Sequence, residues 1–217
     1  ITANTNFTIS QVATTGGNVL SITGGITCSN YDMTISGAGN IVVGNTISGL
    51  NNFTISGSGT TTLAVSLSIA GTLTVSTTIT NSGTIQDIGS TSSFPSSTVN
   101  GIFKFTTTTT IPALTYANLT LSNATTYNAA NGISLTGTLT ISNASGILDM
   151  AGYTLTPGAS TTNNGTIKFS GASNGLAITT GTVEYYGSGQ TVAAGTYSTL
   201  NINQSSGTAT LDSGTTI

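Results

Sequence analysis

One four-residue phrase of alternating apolar and polar residues returns along this chain at a near-constant step, and that step limits what the chain can fold into. It reads Phe7-Thr8-Ile9-Ser10, Met33-Thr34-Ile35-Ser36, Phe53-Thr54-Ile55-Ser56 and Leu73-Thr74-Val75-Ser76. It comes back as Leu119-Thr120-Leu121-Ser122, Leu139-Thr140-Ile141-Ser142 and Leu200-Asn201-Ile202-Asn203. The starting positions 33, 53 and 73 are evenly spaced, and 119 to 139 repeats the same interval. Period-2 alternation is the pattern of a strand with one buried face. In Leu73-Thr74-Val75-Ser76, Leu73 and Val75 face the core while Thr74 and Ser76 face water.

Longer matches agree on the period. Leu73-Thr74 with Asn81-Ser82-Gly83-Thr84-Ile85 aligns on Leu155-Thr156 with Asn163-Asn164-Gly165-Thr166-Ile167 at an offset of 82. Thr115-Tyr116, Leu119 and Leu121 align on Thr196-Tyr197, Leu200 and Ile202 at an offset of 81. Leu139, Ile141, Gly146 and Asp149 align on Leu200, Ile202, Gly207 and Asp212. A repeat of about 20 residues holds two or three short strands joined by tight corners, which is one coil of a β-solenoid. Asn100-Gly101, Asn131-Gly132, Asn164-Gly165, Asn174-Gly175 and Ser188-Gly189 supply the corner chemistry, because Gly and Asn tolerate positive φ. The expectation is therefore an all-β parallel β-solenoid of roughly 10–11 coils, ~4.8 Å per coil, making a rod roughly 50 Å long. No segment has helical periodicity.

Composition decides between order and disorder. Thr and Ser make up roughly a third of the 217 residues, Gly numbers 28, and charged residues are only 3%. Disordered chains pair low hydrophobicity with high charge. This one has a mean hydropathy of +0.25, with Ile, Leu, Val, Tyr and Phe as its main apolar types. The single cysteine, Cys28, has no intramolecular partner and reads as a small buried hydrophobe.

The rhythm breaks at 86–112. Ser90 to Ser97 reads as a loop leaving the coil, and Phe105 to Ile111 as an edge or lateral strand. We take 1–217 as one solenoid with an irregular excursion there, since the phrasing is the same on both sides. Neither Ile1-Thr2-Ala3-Asn4 nor Asp212 to Ile217 has the character of a polar or helical cap. Ile1, Phe7 and Ile9 at one end, and Leu211 and Ile217 at the other, are the candidate assembly residues.

The chain lacks an inventory for catalysis. It has no histidine, so neither a Ser-His-Asp triad nor the commonest metal ligand is available. Five acids (Asp32, Asp87, Asp149, Glu184, Asp212) are dispersed, and neither Lys104 nor Lys168 has a partner evident in sequence. Successive aspartates are separated by nearly three coils each and could share a face. Asp149 and Asp212 are better read as turn residues bonding to backbone. No catalytic, cofactor or metal residue is assigned, and no cofactor is expected. A net charge of −3 offers no basic patch for phosphates, which excludes nucleic acid as a partner. No apolar run is long enough to span a membrane as a helix. Tyr185 and Tyr186 are adjacent, so one faces in and one out; this ordinary strand arrangement outweighs a sugar-binding pair. Sequons at Asn6, Asn52, Asn118, Asn123, Asn143, Asn164 and Asn203 permit glycosylation without indicating it. Thr72/Thr74, Thr138/Thr140 and Thr154/Thr156 could build a flat Thr array of the ice-binding kind.

The run Gly181-Thr182-Val183-Glu184-Tyr185-Tyr186-Gly187-Ser188-Gly189-Gln190-Thr191-Val192, followed by Gly195-Thr196-Tyr197-Ser198-Thr199-Leu200-Asn201-Ile202, resembles repeats in large secreted bacterial adhesin-like surface proteins, similar to filamentous-haemagglutinin and autotransporter passenger solenoids. The resemblance implies an extracellular right-handed parallel β-helix and transfers no functional residue. The leading expectation is a non-enzymatic protomer of an extracellular filament or sheath, stacking head-to-tail on copies of itself. The alternatives are a stalk segment of a surface adhesin and an ice-binding solenoid. Cell-surface or matrix glycans are the other partner class considered.

Overall fold

Coils stack because identical phrases fall in register. In the computed structural model, which describes residues 1–13, 19–64, 67–75, 79–81, 84–87, 92–93, 98–106, 110–171 and 178–217, no helix occurs among the described residues. Strands pair in parallel, about 20 residues apart, in a β-solenoid of about 8 turns in all. Ten or eleven coils would follow if every residue belonged to a paired coil of one length. In fact the first coil is longer than average, since Phe7 pairs with Met33, and corner segments lie outside the ladders. The chain forms two compact units, Ile1–Thr107 and Thr108–Ile217, dividing inside the 86–112 stretch.

In the first unit, strands Phe7–Ser10, Ile26–Ser36, Ile47–Ile55 and Leu73–Val75 form one ladder. Phe7 pairs with Met33, Met33 with Phe53, and Phe53 with Leu73. Ile9, Ile35, Ile55 and Val75 form the parallel column two residues on. Met33, Phe53 and Leu73 are at most 1% exposed, as are Ile35, Ile55 and Val75. A second face stacks Val19–Ile22, Asn40–Val43, Thr61–Leu63 and Ile79–Asn81, burying Ile41, Val43 and Leu63. Cys28 is buried, as its reading as a small hydrophobe requires, and burial raises its thiol pKa.

Corners are as constrained as strands. Gly37 and Gly57 both sit at positive φ, 107° and 109°, one above the other. A Cβ on Gly57 would drive into the Gly37 carbonyl, and one on Gly37 into the Gln11 carbonyl, so each coil approaches the one before it this closely only with glycine at its corner. The described residues of the 86–112 stretch keep the coil's pairing: Thr84–Asp87 pairs with Thr98–Phe105, and Ser92–Ser93 with Leu73–Val75. The expected loop at 90–97 otherwise lies outside the described residues, as does the expected corner at 174–175.

In the second unit the columns are Leu119–Leu139–Thr161 and Leu121–Ile141–Asn163, with Tyr127–Leu148–Ile167–Val183–Leu200 on another face. Asn163 is fully buried in an otherwise apolar column. Its Oδ1 accepts the Gly165 amide at 3.0 Å and its Nδ2 donates to the Thr182 carbonyl at 3.0 Å, so burial leaves it satisfied. The match at offset 81 has a structural counterpart. Tyr116 and Tyr197 are both buried, and each donates its hydroxyl to the carbonyl four residues back, on Pro112 (2.9 Å) and Ala193 (2.7 Å).

Candidate functional site

Of the residues expected at assembly ends, Phe7 and Ile9 lie in strand Phe7–Ser10, Leu211 in the short strand Thr210–Leu211, and Ile1 and Ile217 in no strand. Phe7–Ser10 pairs with Ile26–Ser36, and no other described strand pairs with it. Covered by one neighbouring coil, Phe7 and Ile9 are half-buried, unlike Met33 and Ile35 beside them. Ile1 is 65% exposed; its ammonium donates to the Gly25 carbonyl at 2.7 Å, and its carbonyl accepts the Thr27 amide at 2.8 Å. In the second unit, the Thr199–Ser206 part of strand Gly195–Ser206 pairs with Ile178–Ser188 alone among the described strands. Ile202 is consequently 43% exposed, although the phrase Leu200-Asn201-Ile202-Asn203 matches the buried ones. Leu211 stacks on buried Val192 but is itself 50% exposed, and Ile217 is 76% exposed.

Each unit also carries outward polar columns. In the first, Thr8, Thr34, Thr54 and Thr74 stack in register. The column beside it holds Asn6, Asp32, Asn52 and Thr72, joined by side-chain bonds. Asp32 accepts from Asn51 Nδ2 (2.8 Å), from Asn52 Nδ2 (2.9 Å) and from the Asn52 amide (3.1 Å), and its own amide donates to Asn6 Oδ1 (2.9 Å). Asn52 Oδ1 in turn accepts the Thr72 amide at 2.8 Å. In the second unit Thr120, Thr140 and Thr162 stack beside Asn118, Thr138 and Ser160. In the first unit a single Thr column thus stands beside an amide and carboxylate ladder, whereas in the second the hydroxyls of Thr138 and Ser160 stand beside Thr140 and Thr162.

The aspartates sit in different local settings. Asp32 sits in this corner ladder of the first unit, and Asp87 lies in strand Thr84–Asp87. Asp149 caps its own turn, accepting the Ala151 amide at 2.8 Å as expected for an Asx bond. Asp212 follows the separate pair Thr191–Val192 and Thr210–Leu211, and its backbone carbonyl is what holds the Thr215 hydroxyl (2.8 Å).

Sequence reasoning missed the one concentration of charge among the described residues. In register across five strands of the second unit stand Asn128, Asp149, Lys168, Glu184 and Asn201. Lys168 Nζ lies 3.2 Å from Glu184 Oε1, a partner that is not evident in the sequence. The same ammonium sits 5.0 Å above the Tyr186 ring, a cation–π contact. Tyr186 points outward and donates to Asp149 Oδ1 at 2.8 Å; Tyr185 points inward and is fully buried. Burial, and then the bond to Asp149, raise the Tyr186 pKa, while a bond from the Ser170 hydroxyl opposes them. The pair was hidden because Lys168 and Glu184 are far apart in sequence and meet only through a coil shorter than the average period. Among the described residues no three His, Cys, Asp or Glu side chains are grouped to hold a metal ion, and no helix is long and apolar enough to cross a membrane.

No protein-family model, curated protein or solved structure matches the chain.

Proposed function

We propose that this chain is a non-enzymatic structural module of the cell exterior, a β-solenoid protomer that lengthens a filament or sheath by adding coil upon coil. The open edges support the reading. Among the described strands, Phe7–Ser10 and Thr199–Ser206 each have a side without a pairing partner, beside side chains that are 43% to 76% exposed at Ile202, Leu211, Ile217 and Ile1. Such an edge is a template for another parallel strand. A second copy docking there makes a heterologous contact that does not close on itself, and the product is a fibre. In the adhesin-stalk alternative the covering coil comes from the same polypeptide, which leaves the fold's role unchanged: a low-charge spacer at the cell surface.

Cryo-electron microscopy of the purified 217-residue chain across a concentration series tests the filament reading. It requires fibres whose population grows with concentration and is abolished by Ile202→Lys together with Leu211→Asp. Single particles at every concentration would reject it in favour of the stalk.

A further inference from the structure

The Asn-Gly pairs of this chain are alike in sequence, but the fold holds each of them differently. We propose that Asn131-Gly132 is a site of self-modification: the Gly132 nitrogen closes on the Asn131 side chain, ammonia leaves, and the asparagine becomes aspartate or isoaspartate. Asn131 is exposed, at a bend between strands Thr126–Ala129 and Ile133–Leu135. Gly132 donates its amide to Asn131 Oδ1 at 2.8 Å, which brings the nitrogen up against the carbonyl whose carbon it attacks. Backbone bonds on both sides fix that approach, from the Ala130 amide to the Ile111 carbonyl and from the Ile133 amide to the Thr154 carbonyl, each 3.0 Å. Holding two reacting groups together in this way removes much of the entropic part of the barrier. Asn131 Nδ2, the leaving group, has no partner among the described residues. Hydroxide takes the Gly132 amide proton, the N–Cγ bond forms, and the Cγ–Nδ2 bond breaks as Nδ2 takes a proton from water and departs as ammonia. The resulting succinimide then takes up one water. Opening at Cγ gives aspartate, and opening at the main-chain carbonyl gives isoaspartate. The sum exchanges ammonia for water with no change of oxidation state. Either product adds a negative charge to a chain whose net charge is −3, and isoaspartate lengthens the main chain at this corner by a methylene.

Comparable asparagines are protected. Gly165 is buried and donates its amide to Asn163 Oδ1 at 3.0 Å, so its nitrogen is engaged by a side chain other than that of Asn164. Asn164 Nδ2 is itself tied to the Ser142 carbonyl at 3.3 Å. Asn100-Gly101 lies inside strand Thr98–Phe105, where the backbone is held extended. Asn45 makes the same contact as Asn131, accepting the Thr46 amide at 2.7 Å, but Thr46 is β-branched and crowds its own nitrogen. Asn45 Nδ2 is also tied, to the Thr23 carbonyl at 3.0 Å. Of these four asparagines, Asn131 is the one at which a glycine successor, a held amide and an untied leaving group coincide.

Peptide-mapping mass spectrometry of the whole folded chain, incubated at pH 7 and at pH 9, is the test. Asn131 is expected to gain the mass of water less that of ammonia, and to do so faster at pH 9, where more of the amide nitrogen is deprotonated. Asn45, Asn100 and Asn164 should still be amides when half of Asn131 has converted. In unfolding urea the ranking should collapse, with Asn100, Asn131 and Asn164 converting at similar rates, because each is followed by glycine and nothing then holds them apart. Gly132→Ala places a Cβ 3.1 Å from Thr154 Oγ1 and crowds the attacking nitrogen, so it should slow conversion of the folded chain at least tenfold. If that variant does not fold, the comparison of folded and unfolded parent chain decides alone. An unconverted Asn131 in the folded chain, conversion of Asn100 or Asn164 at the same rate, or one ranking shared by the folded and unfolded states overturns the proposal. The readout is the same whether or not the chain forms fibres, so failure here and failure of the assembly reading are told apart.

Discussion

Asn118 Oδ1 accepts the backbone N–H of Thr138 at 3.0 Å, one coil along the stack. The same bond joins Asn52 to Thr72 at 2.8 Å in the other unit. Each capped threonine precedes a buried leucine, Leu139 or Leu73, at the point where the chain enters a strand. The side chain of one coil thus caps the backbone of the next. Asn118→Ala removes an acceptor from a partly buried amide and is expected to cost about 1–3 kcal/mol. Asn118→Asp keeps the acceptor and should recover most of that loss. Urea unfolding of the two variants checks both signs.

The Met33–Phe53–Leu73 column gives a sharper expectation. Phe53 is fully buried with a large side chain of the same column on either side. Phe53→Ala leaves a cavity that the regular spacing of strands cannot collapse into, and should cost ~3–5 kcal/mol. Its neighbour Thr54 points outward, so Thr54→Ala should stay within about 0.5 kcal/mol. Equal losses at the two positions in chemical denaturation would contradict the assigned register.

Alkali should act on the second unit first. Burial raises the pKa of Tyr116, Tyr127 and Tyr197 above the ordinary tyrosine value, whereas Tyr31, the one tyrosine of the first unit, is 38% exposed. Above about pH 10 the unfolded chain loses phenolic protons that the folded chain keeps. Stability is therefore constant below that pH and falls above it, by about 1.4 kcal/mol per pH unit for each fully buried tyrosine. Hydrogen exchange from pH 9 to 11 should show protection lost in Thr108–Ile217 before Ile1–Thr107.

Between pH 4 and 9 little should change. The Lys168–Glu184 pair is partly solvated, with side chains 26% and 16% exposed, and such pairs are worth roughly 0–1 kcal/mol. Glu184→Gln should shift stability by less than about 1 kcal/mol and leave it nearly insensitive to salt. Substantial unfolding in this pH range would sink the expectation.

Asp149 should be legible through Tyr186. Asp149→Asn keeps an acceptor for the phenolic proton but removes a negative charge, one of the causes that raise this tyrosine's pKa. Ultraviolet titration should then find one tyrosine ionising at lower pH than in the parent chain. An unchanged titration curve would place the Tyr186 hydroxyl elsewhere.

The alternation of Phe7-Thr8-Ile9-Ser10 and its echoes, together with their even spacing, by itself determined a parallel solenoid and named its inward columns. Register in a parallel stack places like residues above like, so Met33, Phe53 and Leu73 could be aligned from sequence alone. Tertiary structure decided what depends on the local length of a coil. Lys168 meets Glu184 across a short coil while Phe7 meets Met33 across a long one, and no average period says which outward residue lies above which. It also decided burial at the edges: Leu121 and Ile202 occupy matching phrases, yet only Leu121 is buried. A coil's apolar side chains leave water only when a second coil covers them.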